Sequence, residues 1–142
     1  MTSNRTPLLV DPVVSTQWLA DHLGSDRLIV VDASVVTLQT TAGGAPRLLS
    51  GYDQYLFDGH VPGAVFADLI DDRADPFEAL QTDADRTAVV YDGGDGRFAE
   101  RARRLLLDLG YEQVAVLDGG LRRWRVEGRA VEDGVSDGQS AR

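Results

Sequence analysis

The chain has 142 residues, a formal net charge of −9 and no cysteine. Its length fits one domain, burying roughly 68–70% of the surface that the unfolded chain would expose, and its 43% hydrophobic and 26% charged residues are ordinary for a globular protein. Lack of cysteine excludes disulfides, thiolate metal sites and thiol catalysis in this chain, the acidic balance argues against nucleic acid, and no run approaches the roughly 18 apolar residues of a membrane span.

The first residues, Met1 to Pro7, lack the apolar core of a signal peptide, and Leu8-Leu9-Val10 is cut short by Asp11 and Pro12. Cytoplasm is therefore the expected location. Ser15 or Thr16 reads as the N-cap of a short helix through Trp18, Leu19 and Leu23, ended by Gly24. Leu28-Ile29-Val30-Val31 is a continuous apolar run, the pattern of a strand buried on both faces. Thr37 to Leu49, with Gly43, Gly44 and Pro46, reads as a loop. Gly51 to Asp58 reads as a short helical turn, and Gly59-His60-Val61-Pro62-Gly63 as a tight turn into a strand at Ala64-Val65-Phe66-Ala67.

Asp71 to Asp85 is acidic and weakly patterned, with room for one short helix. Ala88 to Tyr91 is a second buried strand. The helix after it places Ala99, Ala102, Leu106 and Leu109 on one face, with Gly110 as the stop. Val114 to Leu117 is a third buried strand, Leu121 to Val126 a short helix bearing Trp124, and Glu132 to Arg142 a polar tail expected to fray.

Strands alternating with helices predict a parallel sheet covered on both faces, with the strand carboxyl ends along one edge. Ligands of open α/β sheets bind along that edge. Asp32, Asp92 and Asp118 all fall there, the last two in the repeated signals Tyr91-Asp92-Gly93-Gly94 and Leu117-Asp118-Gly119-Gly120. The loop Asp92-Gly93-Gly94-Asp95-Gly96-Arg97 leads from strand to helix, so its N–H groups and the helix N-terminus converge as a cradle for an anion.

Three chemistries are open at this rim. Gly94-Asp95-Gly96-Arg97-Phe98-Ala99 fits the dinucleotide fingerprint G-x-G-x-x-A, although Asp92 and Asp95 would set negative charge beside a pyrophosphate. Asp32, Asp92 and Asp118 could supply oxygen ligands to Mg²⁺, or simply cap the turns that follow them. A Ser–His–Asp arrangement would need His22 or His60, but no serine sits in a nucleophile-elbow context. His60 reads as a residue that fixes its turn by backbone hydrogen bonds. The arginines Arg97, Arg101, Arg103, Arg104, Arg122, Arg123 and Arg125 read mostly as solvated helix faces, with Arg97 paired to Asp95.

Three blocks together resemble the rhodanese (sulfurtransferase) family. They are Leu28 to Ala33 followed by Tyr55 and Gly59-His60-Val61-Pro62-Gly63-Ala64-Val65-Phe66; Val90-Tyr91-Asp92 through Gly96 with Ala99 and Arg101; and Leu117-Asp118-Gly119-Gly120-Leu121 with Trp124 and Gly128. Their order and spacing cover most of residues 13–131. The resemblance is to the N-terminal half of two-domain thiosulfate or 3-mercaptopyruvate sulfurtransferases. In those proteins the C-terminal domain carries a loop cysteine that forms a persulfide, and the N-terminal domain commonly has aspartate at the matching position, here Asp92.

The resemblance implies a single α/β rhodanese-like domain over residues 8–131, a mostly parallel central sheet with helices on both faces, and a polar tail at 132–142. It implies no catalytic residue and no cofactor in this chain, with Asp32, His60, Pro62, Gly63, Asp118, Gly119, Gly120 and Trp124 as structural motif residues. It makes Arg101 a half-buried link between helix and rim. The implied partner is a catalytic rhodanese domain in the same or another chain; a homodimer is a further arrangement, and a stand-alone interaction or regulatory module is the alternative role. The Asp71 to Asp85 segment is about a helix shorter than the family's usual one, and the chain ends where a linker to a catalytic domain would begin. Asp92 is expected to fold into the loop and accept its N–H groups, filling the anion site with its own carboxylate.

Overall fold

The computed structural model describes residues 8, 10–38, 43–70 and 84–134. All but the last two residues of the short helix expected between Asp71 and Asp85 lie outside the described residues, as do residues 1–7 and the tail from 135.

In chain order the elements are β1 (Val13–Val14), α1 (Thr16–His22), β2 (Leu28–Asp32), β3 (Val35–Leu38), β4 (Arg47–Ser50), α2 (Tyr52–Phe57), β5 (Val65–Phe66), β6 (Thr87–Tyr91), α3 (Arg97–Asp108), β7 (Val114–Leu117) and α4 (Gly120–Val126). The main sheet has five strands in the order β1-β7-β6-β2-β5, and every pairing in it is parallel. β2 and β6 are central and buried at every position, which is why they read as uninterrupted apolar runs rather than alternating ones.

Alternation along these strands separates two cores. Ile29, Val31, Ala88 and Val90 pack with Ala99, Ala102 and Leu106 of α3 on one face. Leu28, Val30, Val89 and Tyr91 pack with Leu19 of α1, Tyr55 of α2 and Trp124 of α4 on the other. The helices thus cover both faces. Ser15 caps α1 by accepting the Trp18 N–H at 3.0 Å.

Three features differ from the sequence reading. β1 is absent from it: two residues after Asp11-Pro12 carry no periodicity, yet the edge is fixed by Val116 N–H to Pro12 O at 2.8 Å and Asp118 N–H to Val14 O at 2.9 Å. The stretch read as a loop, Thr37 to Leu49, overlaps an antiparallel pair that runs from Val35 opposite Ser50 to Leu38 opposite Arg47. Its side chains are mostly exposed, so backbone pairing leaves no hydrophobic signature. The tail does not begin to fray at Glu132: His60 and Glu132 exchange two backbone hydrogen bonds of 2.9 Å, and Gly134 N–H donates to Leu56 O at 2.8 Å.

The α3 packing gives a direct test. Leu106 is fully buried while its neighbour Leu105 is 37% exposed. Leu106→Ala is expected to cost about 2–5 kcal/mol and Leu105→Ala a small fraction of that, measured by urea unfolding.

Candidate functional site at the carboxyl edge of the sheet

Where β6 ends, Tyr91 and Asp92 are both buried, and Asp92 is only 2% exposed. The Gly94 and Gly96 N–H groups donate to Asp92 Oδ1 at 2.9 and 3.1 Å. Phe98 and Ala99, in the first turn of α3, donate to Oδ2 at 3.0 and 3.1 Å. One carboxylate therefore satisfies two loop amides and two otherwise orphaned amides of a twelve-residue helix, and it lies at the positive end of that helix.

The second Asp-Gly-Gly loop closes over the first. Leu121 N–H donates to Asp92 O at 3.0 Å and Arg122 N–H to Gly93 O at 3.2 Å. This contact leaves no room for a side chain at Gly120: its φ is +61°, and a Cβ there would sit 2.7 Å from Asp92 O. Asp118 itself faces outward and pairs with Arg123 at 2.8 Å. Trp124 anchors α4 in the core, its indole N–H donating to Ala130 O at 2.7 Å.

Asp32 occupies a separate buried network. Its Oδ1 accepts the Ser34 N–H at 2.9 Å, and the Ser34 and Tyr91 hydroxyls also bond it. The Tyr91 oxygen in turn accepts the Val61 N–H at 3.0 Å. Burial pushes the Asp32 carboxyl above its ordinary value of 3.8, against the lowering effect of these hydrogen bonds and of nearby His60. Burial, and then the Asp32 charge, push the Tyr91 phenol well above its usual range.

The turn beside this network is a type II turn, with Ala64 N–H donating to Val61 O at 3.0 Å and Gly63 at φ +83° after Pro62. His60 is fully buried, its ring stacked 3.8 Å from that of Tyr55. His60 Nδ1 lies 3.0 Å from Val61 O and Nε2 2.7 Å from Gly134 O. His22 Nδ1 lies 2.7 Å from Trp18 O. Neither histidine is hydrogen-bonded to a serine hydroxyl among the described residues, so the triad geometry is not assembled.

The other two rim chemistries meet similar obstacles. The three strand-end aspartates hold different partners, and among the described residues no three His, Cys, Asp or Glu side chains are grouped to hold a metal. The Gly94–Ala99 amides that would cradle a pyrophosphate all point at Asp92, apart from those of Asp95 and Arg97; the Arg97 N–H is taken by Asp95 Oδ1 at 3.1 Å.

Arg97 also pairs with Asp95 through its side chain at 3.3 Å. Arg101 is exposed, which corrects its expected role as a half-buried link. The half-buried arginine of α3 is instead Arg103, which donates to Val114 O at 3.1 Å, at the start of β7 and away from the rim, and to Glu100 at 3.0 Å. Ser34, Tyr91 and the contacts of Arg125 were not legible as site features. Ser34 stands two residues after Asp32, the spacing of an Asx turn, but the Arg125 bond to Asp58 O spans elements that no local pattern connects.

The rhodanese-like domain family model matches residues 15–127. The chain belongs to this family. It is 30% identical over 138 residues to the 3-mercaptopyruvate sulfurtransferase of Escherichia coli K12, covering 86% of this chain and 47% of that protein. It is 34% identical over 146 residues to thiosulfate sulfurtransferase of Bos taurus, covering 87% and 46%. The crystal structure of SseA, a 3-mercaptopyruvate sulfurtransferase from Escherichia coli, superposes with a TM-score of 0.71 at 27% identity, over 89% of this chain and 53% of that one. The rhodanese-like domain of the Anabaena Alr3790 protein is matched over 99% of its chain, with a TM-score of 0.51 and 26% identity. The chain spans about half the length of the curated relatives it matches.

Two outcomes test the rim. Asp92→Ala strands four amide donors and removes the cap of α3, at an expected cost of about 2–3 kcal/mol; added formate should raise the melting temperature of the variant and not that of the parent. The raised folded pKa of Asp32 means that its favourable contribution, complete below the unfolded value, is lost as pH rises through the folded one. Asp32→Asn should therefore gain stability relative to the parent as pH rises above the ordinary carboxyl value, as read by urea unfolding from acid to neutral pH.

Proposed function

We propose that this chain is the cysteine-less domain of a thiosulfate/3-mercaptopyruvate sulfurtransferase-type protein, corresponding to its N-terminal half, and that it supports a catalytic rhodanese domain carried elsewhere in the same or another chain. The single observation that carries this reading is the Asp92 carboxylate bound by four amides in the loop where the family resemblance places the cysteine. Sulfur transfer by a persulfide needs a thiolate that attacks a sulfane sulfur and retains it. A carboxylate has no sulfur with which to do so, and the sequence holds no cysteine at any other position.

The coverage of only about half of each relative supports a role beside a second domain. In this reading the rim loop is a rigid support: its anion is covalently built in and already holds four of the surrounding amides. The partner is a protein domain rather than nucleic acid or membrane. Among the described residues no helix is long and apolar enough to cross a membrane, and the cytoplasm is the location that goes with this assignment.

A cyanide-trapping assay tests the assignment. The purified chain with thiosulfate is expected to form no thiocyanate above a protein-free control, and turnover above that control would refute it. Asp92→Cys is expected to give weak turnover at best, because the other residues of the loop also matter to sulfur transfer.

A further inference from the structure

A cleft of about 630 Å3 lies beside the Asp92 loop, between the end of β2, the end of α2 and the start of α4. Its volume falls in the range of small-molecule sites, about 300–1,000 Å3, and neither the carboxylate plug nor the support role uses it. We propose that this cleft binds a small organic monocarboxylate, held by the Arg122 guanidinium. The inference stands independently of any second domain.

Charge pairing marks out the site. All 14 basic side chains of this acidic protein are arginines. Near the rim and along α3 and α4, Arg97 pairs with Asp95, Arg103 and Arg104 with Glu100, Arg123 with Asp118, and Arg129 with Glu127. Arg122, like exposed Arg101 on α3, has no carboxylate partner among the described residues, and unlike Arg101 it lines the cleft. Arg125, one turn further along α4 on the same side, also lines it and donates to the backbone carbonyl of Asp58. That bond is to a neutral group, and Arg125 forms no ion pair among the described residues.

The remaining walls select the ligand. Asp58 lines the cleft and Asp32 lies in its buried floor, so a dianion would meet more repulsion than a monoanion. Burial favours the protonated form of Asp32, which lessens the repulsion for a single negative charge. Tyr55, Phe57 and Leu121 supply an apolar side, and Phe57 is 76% exposed, so a short carbon body gains by covering it. The planar guanidinium fork matches a carboxylate through two parallel hydrogen bonds.

The test is a titration of the full ¹⁵N-labelled chain with sodium propionate at constant ionic strength, followed by amide NMR, with sodium sulfate as the dianion control. Propionate is expected to give saturable shifts at Gly93, Leu121 and Arg122, and sulfate to leave these amides unsaturated over the same range. Arg122→Gln should weaken propionate about tenfold, while Arg104→Gln, an equal charge change on α3, should leave it unchanged. The Arg122 side chain is exposed and holds no partner among the described residues, so the variant spectrum itself reports the retained fold. Unsaturated propionate shifts, equal binding of sulfate, an unaltered affinity in Arg122→Gln or an equal loss in Arg104→Gln would each overturn the proposal.

Discussion

Four backbone amides between Gly94 and Ala99 converge on the Asp92 carboxylate, and the arrangement of the rim follows from that convergence. Through its side chain Asp92 fixes the direction in which α3 leaves β6. Through its main-chain oxygen it receives the Leu121 amide and so positions α4. Asp92 therefore joins a central strand to helices on opposite faces of the sheet. Since it is nearly inaccessible to solvent, its amide partners replace lost hydration, and removing the carboxylate would strand donors rather than merely delete a contact.

The same geometry separates fold from chemistry. A loop that gathers amides toward one point can stabilise a reactive anion or a permanent structural one. Here the anion belongs to the backbone's own residue, and four loop and helix amides are already committed to it. The neighbouring polar network around Asp32, Ser34 and Tyr91 is also internally satisfied. What is left exposed at the edge is positive charge on α4, beside an aromatic side chain that the core does not cover.

The central strands were legible because burial on both faces demands apolar runs, and α3 because its buried residues recur at helical spacing. The repeated Asp-Gly-Gly signals marked the rim for a physical reason: a small residue is required at Gly120, where a Cβ would collide with Asp92 O. The β3–β4 pair escaped because its stability is in main-chain bonds and its side chains are largely exposed. Arg101 was misplaced because the resemblance gives a position but not the exposure of its helical face. The contact of Arg125 with the α2 turn and the bonding of Glu132 to His60 join residues distant in sequence, and such pairings leave no local pattern.

The edge pairing of β1 has a kinetic consequence. Val13 and Val14 hydrogen-bond beside Val116 and Leu117, which a ribosome makes about a hundred residues later. Until that segment emerges, the first strand has no place in the sheet, and closing so long a loop carries an entropic cost before any contact repays it. Completion of this domain is therefore tied to the end of its translation, and its apolar N-terminal segment must wait uncovered through most of synthesis.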